Sequence, residues 1–154
     1  MNHHRMLALG ALLVALGAQA ADTPAPAPAP ARQADPLAAA RGHIQAQRWD
    51  AALAELRKLN NTGSADWNNL MGYALRKQAK PDLDGAQRHY DAALKIDPNH
   101  TGALEYSGEL ALMKGDLATA EARLATLSKV CSTPCEPLDD LKKAVARYKA
   151  GGKG

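Results

Sequence analysis

Apolar side chains recur with a helical period along two neighbouring stretches in the middle of the chain. The first stretch carries Trp67, Leu70, Met71, Ala74 and Leu75, and the second carries Leu83, Ala86, Tyr90, Ala93 and Leu94. Residues three and four apart lie on one face of a helix, so each stretch predicts a helix with one apolar stripe. Asp97-Pro98 ends the second helix. Because a lone pair of helices cannot bury both stripes, this hairpin requires neighbours.

The sequence supplies these neighbours as a repeat. Ala52, Ala86 and Ala120 stand 34 residues apart. The same interval separates the members of three further sets: Trp49, Leu83 and Leu117; Leu56, Tyr90 and Leu124; and Leu59, Ala93 and Leu127. Stacked units of this length bury a continuous core between them. The chain is therefore predicted to be all-α, built from helical hairpins that pack side by side.

The spacing predicts three hairpins, over about 35–64, 65–100 and 101–131, and a last helix over about 137–150. The first hairpin opens at Asp35-Pro36, a capping residue followed by a proline suited to the first helical turn, with helices to about 47 and over about 50–59. The third has helices over about 101–114 and 117–130. Gly72 and Gly108 each cost a helix roughly 1 kcal/mol relative to alanine, so a close helix contact is expected at both.

The second and third hairpins share an order of small and large residues. It runs Met71-Gly72, Ala86, Tyr90, Ala93 and Asp97-Pro98 in the second, and Leu104, Gly108, Ala120, Leu124 and Leu127 in the third. This order resembles the consensus of the tetratricopeptide repeat, although Asn68 and Leu104 stand where that consensus has tryptophan. The resemblance implies a right-handed superhelical array of three helix-turn-helix repeats with a C-terminal capping helix. In such arrays the first helices line a concave groove that receives a peptide.

The N-terminal segment has the pattern of an export signal. Arg5 precedes an apolar run over 6–18, and Ala18-Gln19-Ala20 matches an A-x-A cleavage site. Cleavage is predicted after Ala20, leaving a periplasmic or secreted protein without a membrane span, and the alternative is that 1–20 stays as an uncleaved anchor. Alternating alanine and proline over 21–34 cannot form a helix and predicts a spacer. The tail over 151–154 is predicted to be disordered.

The net charge of the chain and its distribution limit the classes of partner that are expected. The 154 residues carry a net charge of +3, with both signs mixed along the chain, which predicts neither a nucleic-acid footprint nor a membrane-surface patch. The sequence is rich in alanine and contains no phenylalanine, a composition that suits closely packed helices. The expected partner is a protein or peptide, and self-association through an open end of the array is a further possibility.

Two cysteines carry the main chemical alternative. Cys131 and Cys135 are four residues apart at a predicted helix end, which places their Cα atoms roughly 6 Å apart, within disulfide range. An exported protein meets oxidising conditions, so a structural Cys131–Cys135 bridge is predicted between the third hairpin and the last helix. The alternative is a small redox or metal-handling protein that uses these two thiols. The spacing is not the C-x-x-C of thioredoxin-like proteins.

No residue pattern predicts catalysis. The sequence lacks H-E-x-x-H, G-x-S-x-G, a phosphate loop and a dinucleotide fingerprint, so neither an enzymatic activity nor a cofactor is predicted. His43, His89 and His100 fall on separate helices or turns. We interpret them as solvent-exposed residues rather than metal ligands.

The candidate binding surface lies on the first helices of the second and third hairpins. Asn69, Tyr73 and Arg76 share one helix face, opposite the apolar stripe, and their counterparts in the third hairpin are Glu105, Glu109 and Leu112. Tyrosine offers rigid contact area, asparagine can bond a peptide backbone and arginine can clasp a carboxylate. Acidic residues in the third hairpin distinguish this set from the carboxylate clamp of chaperone-binding arrays. The alternative interpretation is an ordinary solvated surface.

Overall fold

The structure, a computed structural model, describes residues 34–132 and 134–152, and every regular element within them is an α-helix. The helices are α1 (Ala38–Gln45), α2 (Trp49–Leu59), α3 (Ala65–Lys77), α4 (Leu83–Ile96), α5 (Thr101–Met113), α6 (Leu117–Val130) and α7 (Glu136–Lys149). The all-α prediction is confirmed. The predicted signal segment and nearly all of the predicted spacer lie outside the described residues. None of the described helices is both long and apolar enough to cross a membrane.

Side chains at the helix starts fix where several helices begin. Ser64, Asp82 and Asp116 each accept a hydrogen bond from the backbone N–H three residues later, at the starts of α3, α4 and α6. The first helix differs from its prediction, because Asp35 Oδ1 accepts the N–H of Leu37 at 2.9 Å and holds a turn instead of capping a helix. As a result α1 begins at Ala38.

The helices pack as hairpins and also between hairpins. Within hairpins, α1 packs on α2, α3 on α4 and α5 on α6, while α3 also contacts both α1 and α5, and α7 packs on α5 and α6. The alanines in the 34-residue register, Ala52, Ala86 and Ala120, are fully buried. Two apolar clusters result, one over the first two hairpins and one over the third hairpin and α7. The first helices of successive hairpins are therefore direct neighbours.

Glycine allows the closest of these helix contacts. A Cβ atom on Gly72 would lie 2.7 Å from a ring carbon of Tyr90, and one on Gly108 would lie 2.7 Å from a methyl carbon of Leu141. Both partners are fully buried and have little room to move away. The expected packing reason for these two glycines is confirmed, with α4 as the partner of Gly72 and α7 as the partner of Gly108.

The last helix covers the third hairpin and ends in an ordered cap. Leu141, Ala144 and Val145 are buried, and charged residues occupy the outer positions of α7. Gly151 has φ +87°, and the N–H groups of Gly151 and Gly152 bond back to the carbonyls of Tyr148 and Arg147. This is a Schellman cap. Gly151 and Gly152 thus satisfy the last carbonyls of the helix, and disorder of the tail over 151–154 stays a prediction.

Adding a single methyl group tests the two close contacts. Gly72→Ala and Gly108→Ala should each lower the free energy of unfolding by about 1–3 kcal/mol, because the methyl group overlaps a buried side chain. Gly42→Ala is the matched control, since a Cβ there meets nothing within 4 Å; it should raise stability by up to about 1 kcal/mol through helix propensity. Urea unfolding followed by circular dichroism measures all three. Equal effects at Gly42 and Gly108 would contradict the packing account.

Candidate functional site

Helices α3 and α5 bring three of the predicted surface residues into one cluster. Arg76 Nη2 donates a hydrogen bond to Glu109 Oε2 at 2.7 Å. The Arg76 guanidinium lies 5.7 Å from the ring centroid of Tyr73 and 5.6 Å from that of Tyr106. The two rings are 4.6 Å apart and tilted by 44°. We call these four residues, Tyr73, Arg76, Tyr106 and Glu109, the arginine cluster.

The arginine cluster is rigid because each member restrains the others. Arg76 is only 7% exposed, so its charge depends on Glu109 and on the negative faces of the two rings for stabilisation. A guanidinium that is paired and stacked in this way has lost most of its rotamer freedom. The cluster therefore fixes the ring of Tyr73 at a half-buried position between two hairpins.

Three predicted surface residues, Asn69, Glu105 and Leu112, lie outside the arginine cluster and are buried. Leu112 is 2% exposed and belongs to the apolar cluster that contains Leu141, so it is not on an accessible surface. Asn69 is 7% exposed, and its amide nitrogen would be 3.0 Å from a Cβ on Gly102, in the first turn of α5. Leu112 and Asn69 are both covered by the neighbouring helix, which one helix's spacing does not reveal.

The exposed side chains of α3 and α5 lie on a different part of each helix from the predicted surface residues, and the difference is the same in both helices. Tyr73 and its counterpart Glu109 are half-buried, and the next turn ends in Lys77 and its counterpart Met113, which are both exposed. Met113 is also close to the arginine cluster, with its sulfur 4.0 Å from Arg76 Nη1. Because counterpart residues share the same degree of burial, α3 and α5 present the same face to solvent.

Tyr106 is the member of the cluster that the sequence analysis missed. Its counterpart in α3 is Leu70, a core position, so the register alone suggested a buried packing residue. The contact with Tyr73 arises because α5 lies beside α3. The sequence did contain one indication of this contact. Tyr73, Tyr90 and Tyr106 are three of the few aromatic residues in the chain, and such residues favour a shared cluster.

Glu105 is a buried carboxyl group with an altered pKa. Burial raises its pKa to about 8, and the negative potential of Glu109, and of Asp140 and Glu136 on α7, adds to the rise, while Arg76 opposes it. Its carboxyl group makes no hydrogen bond or ion pair to another side chain within the described residues. Glu105 is accordingly protonated, and uncharged, in most molecules at neutral pH.

Two clefts open on either side of the arginine cluster. The first, which we call the tryptophan cleft, has a volume of about 400 Å³ and is lined by Ile44, Gln45, Gln47, Trp49, Tyr73 and Lys77. The second has a volume of about 310 Å³ and is lined by Glu109, Asp140, Lys143 and Arg147. Trp49 and Tyr73 meet edge to face, with ring centroids 5.9 Å apart. An aromatic row thus runs from the tryptophan cleft to the arginine cluster.

The cysteines lie at the junction of α6 and α7. The Cα atoms of Cys131 and Cys135 are 5.9 Å apart and their sulfur atoms are at bonding distance, as a disulfide requires. Within 34–132 and 134–152, no group of three or more His, Cys, Asp or Glu side chains is placed to hold a metal ion. The pair joins the end of the third hairpin to the start of the last helix.

The histidines are structural residues and not exposed ones. His43, His89 and His100 are all partly buried, so the interpretation as solvent-exposed side chains is wrong. His89 Nδ1 lies 3.0 Å from Asn68 Oδ1 and its ring packs edge to face on Trp67, and burial followed by the charge of Arg88 lowers the His89 pKa. His100 accepts a backbone N–H in the first turn of α5 through Nδ1, which leaves Nε2 to donate to Asp66 at 3.0 Å.

Neutralising Glu105 tests its unusual pKa. The folded-state pKa of about 8 lies above the ordinary glutamate pKa of about 4.5, so the bound proton favours folding and this stabilisation is lost as pH rises from about 4.5 to 8. Glu105→Gln should match the wild type at pH 5 and exceed it at pH 9, by on the order of 2 kcal/mol after allowance for solvent screening. Urea unfolding at both pH values measures the difference. Glu55→Gln is the control, because Lys58 lowers the pKa of that partly exposed carboxyl group; parallel curves for Glu105→Gln and the wild type would contradict the account.

Removing the guanidinium tests the arginine cluster. Arg76→Met should lower the free energy of unfolding by about 2–4 kcal/mol, because it leaves Glu109 without its charge partner. Adding Glu109→Met should recover part of that loss, which a double-mutant cycle measures. Arg88→Met, at an exposed position of α4, should change stability by less than about 0.5 kcal/mol. If Arg76→Met and Arg88→Met have equal effects, the cluster does not join the hairpins.

No protein-family model matches the chain, and no curated protein matches it.

Proposed function

We propose that this protein is a protein-interaction module, an adaptor or scaffold that holds a peptide or partner protein on the face formed by the first helices of its hairpins. The observation that carries the proposal is the row of aromatic and charged side chains across successive hairpins, from Trp49 through Tyr73 to Glu109, with a cleft at each end. Partly buried tyrosine, tryptophan and arginine side chains are the types that contribute most to binding energy at protein interfaces.

Pre-organisation supports this proposal. The arginine cluster fixes Tyr73 before any partner arrives, so binding does not have to order that side chain. Lys77 and Met113 are exposed and extend this surface. Lys77 offers a cation next to the fixed ring of Tyr73, and Met113 offers an apolar contact. A rigid aromatic residue with adaptable neighbours is suited to capture an extended segment.

The proposal includes a tetratricopeptide-type arrangement of the hairpins. It is supported by the 34-residue register, by the buried alanines in that register and by the direct packing of each first helix on the next. In this arrangement the first helices would line the concave side of a right-handed superhelical array, and α7 would cap its last repeat. The aromatic row would then face the guest.

We further propose that the protein acts in the bacterial cell envelope, as a periplasmic or secreted protein. The apolar run over 6–18 with its Ala18-Gln19-Ala20 site supports export, and the cysteine pair at bonding distance is compatible with an oxidising compartment. In this setting the bridge between Cys131 and Cys135 would hold α7 against the third hairpin. The proposed role is binding and not catalysis.

Site-specific photo-crosslinking in the native cell tests the proposal. A photoreactive phenylalanine analogue placed at Lys77 or Met113 should give discrete crosslinked products, because these exposed positions border the aromatic row. The same analogue at Lys95 or Ala125, exposed positions of α4 and α6, should give none or different ones. Mass spectrometry of the products identifies the partner.

A different crosslinking pattern would contradict the proposal. If Lys77 and Met113 give no product while Lys95 or Ala125 does, the partner binds the second helices and the proposed face is wrong. Uniform crosslinking at all four positions would indicate non-specific contact. Circular dichroism of each variant confirms that the exposed substitutions leave the helices intact.

A further inference from the structure

The tryptophan cleft is built around a residue whose backbone conformation favours glycine. Gln47 has φ +54°, and it occupies the left-handed position of a Schellman cap in which its own N–H bonds Ile44 O and the N–H of Arg48 bonds His43 O. The residue in the same register of the third hairpin is Gly115, which has φ +81° in the same type of cap. The chain therefore places a glutamine in a left-handed position that the third hairpin fills with glycine, at a cost in backbone strain.

The neighbouring residue departs from the repeat in the same place. Trp49 stands in register with Leu83 and Leu117, so an aromatic ring replaces leucine only in the first hairpin. The planes of the Trp49 and Tyr73 rings are inclined by 68°, so the two rings form a corner that is open to solvent and not a flat platform. Two departures from the repeat, Gln47 and Trp49, thus line one cleft.

Polar groups in the tryptophan cleft are available to a ligand. The Trp49 indole N–H and the side-chain amides of Gln45 and Gln47 make no hydrogen bond to another described residue. Lys77 makes no ion pair within the described residues and lies 5.8 Å from the Tyr73 ring centroid. Among the residues that the structure describes, the lining of this cleft contains one cation, Lys77, and no carboxylate. Its charge is therefore complementary to an acidic ligand.

We propose that the tryptophan cleft binds an acidic, proline-containing peptide segment in the polyproline II conformation. This inference rests on the proposed function and names the class of partner. A prolyl ring fills the corner between Trp49 and Tyr73, the indole N–H of Trp49 donates to a peptide carbonyl, and Lys77 pairs with a carboxylate beside the proline. Polyproline II has no internal hydrogen bonds, so its carbonyls are free, and it is already ordered before binding.

The geometry favours this segment over a sugar. Aromatic rings that hold sugars offer an open face, whereas the edge-to-face arrangement of Trp49 and Tyr73 leaves a notch for a narrow ring or side chain. The volume of about 400 Å³ is near the lower end of the range for ligand sites, which suits a few residues of an extended chain. Lys77, which has no ion-pair partner among the described residues, adds a preference for an acidic ligand, and a neutral sugar would not use it.

Fluorescence anisotropy with the purified full chain tests the inference. The probe is fluorescein-labelled Gly-Pro-Pro-Glu-Pro-Gly amide, compared with one peptide carrying alanine for every proline and another carrying lysine for glutamate. We expect saturable binding of the first peptide, with a dissociation constant on the order of 100 μM, and at least about fivefold weaker binding of the other two. Equal binding of all three would overturn the proposal.

Replacing Gln47 and Trp49 by the residues at the same positions of the third hairpin, glycine and leucine, makes the test specific. Trp49→Leu should weaken binding by about tenfold or more, and Gln47→Gly by about threefold, while the melting temperature of Gln47→Gly stays the same or rises because glycine relieves the strain. Lys77→Glu should weaken binding of the acidic peptide by about fivefold and favour the lysine peptide. Lys95→Glu makes the same charge change at an exposed position of α4 and should have no effect.

Three further binding results would overturn the proposal. Unchanged affinity in both Gln47→Gly and Trp49→Leu would overturn it, and the glycine variant keeps the test valid if loss of Trp49 unfolds the first hairpin. Binding of chitotetraose, with loss in Trp49→Leu and no binding of the acidic peptide, would assign the cleft to a carbohydrate and overturn the proposal. If no peptide binds while Lys77 and Met113 still crosslink a partner, this inference fails and the proposed function stands.

Discussion

Each helical hairpin in this protein leaves one apolar stripe uncovered, and only the next hairpin can bury it. Very small residues opposite large ones set the closest helix contacts, Gly72 of α3 against Tyr90 of α4 within the second hairpin and Gly108 of α5 against Leu141 of α7. The buried alanines of the repeat register serve the same purpose at the helix crossings. Between hairpins, α2 packs on α3 and α4 packs on α5, which brings the first helices α3 and α5 into contact and determines which side chains can meet across them.

The arginine cluster is a consequence of the contact between α3 and α5. Arg76 on α3 reaches Glu109 on α5 with an oxygen–nitrogen separation of 2.7 Å only because the two helices lie side by side. Desolvation of the guanidinium is then offset by a charged partner and two ring faces. The ion pair leaves Tyr73 fixed and half-buried. A surface suited to binding thus follows from the same packing that stabilises the fold.

The sequence predicted those features that depend on the period of a helix and on local capping. The repeat register was sufficient for α6, which spans Leu117–Val130 as expected, and for the tight contacts of Gly72 and Gly108. It was insufficient for the site, because spacing within one helix identifies a face but not what covers it. Leu112 and Asn69 share the predicted face, yet a neighbouring helix buries both. Tyr106 entered the cluster through the same unseen contact.

Departures from an internal repeat carry information that neither helical period nor burial supplies. The third hairpin shows that glycine suits the turn occupied by Gln47, so the glutamine is not explained by the backbone there. Packing explains it no better, since the Gln47 side chain is exposed. Residues that cost stability and contribute nothing to the core are commonly kept for binding or catalysis. Gln47 and Trp49 depart from the register two residues apart, at a cleft whose cation, Lys77, has no ion-pair partner within the described part of the chain. This coincidence distinguishes the first hairpin from the other two.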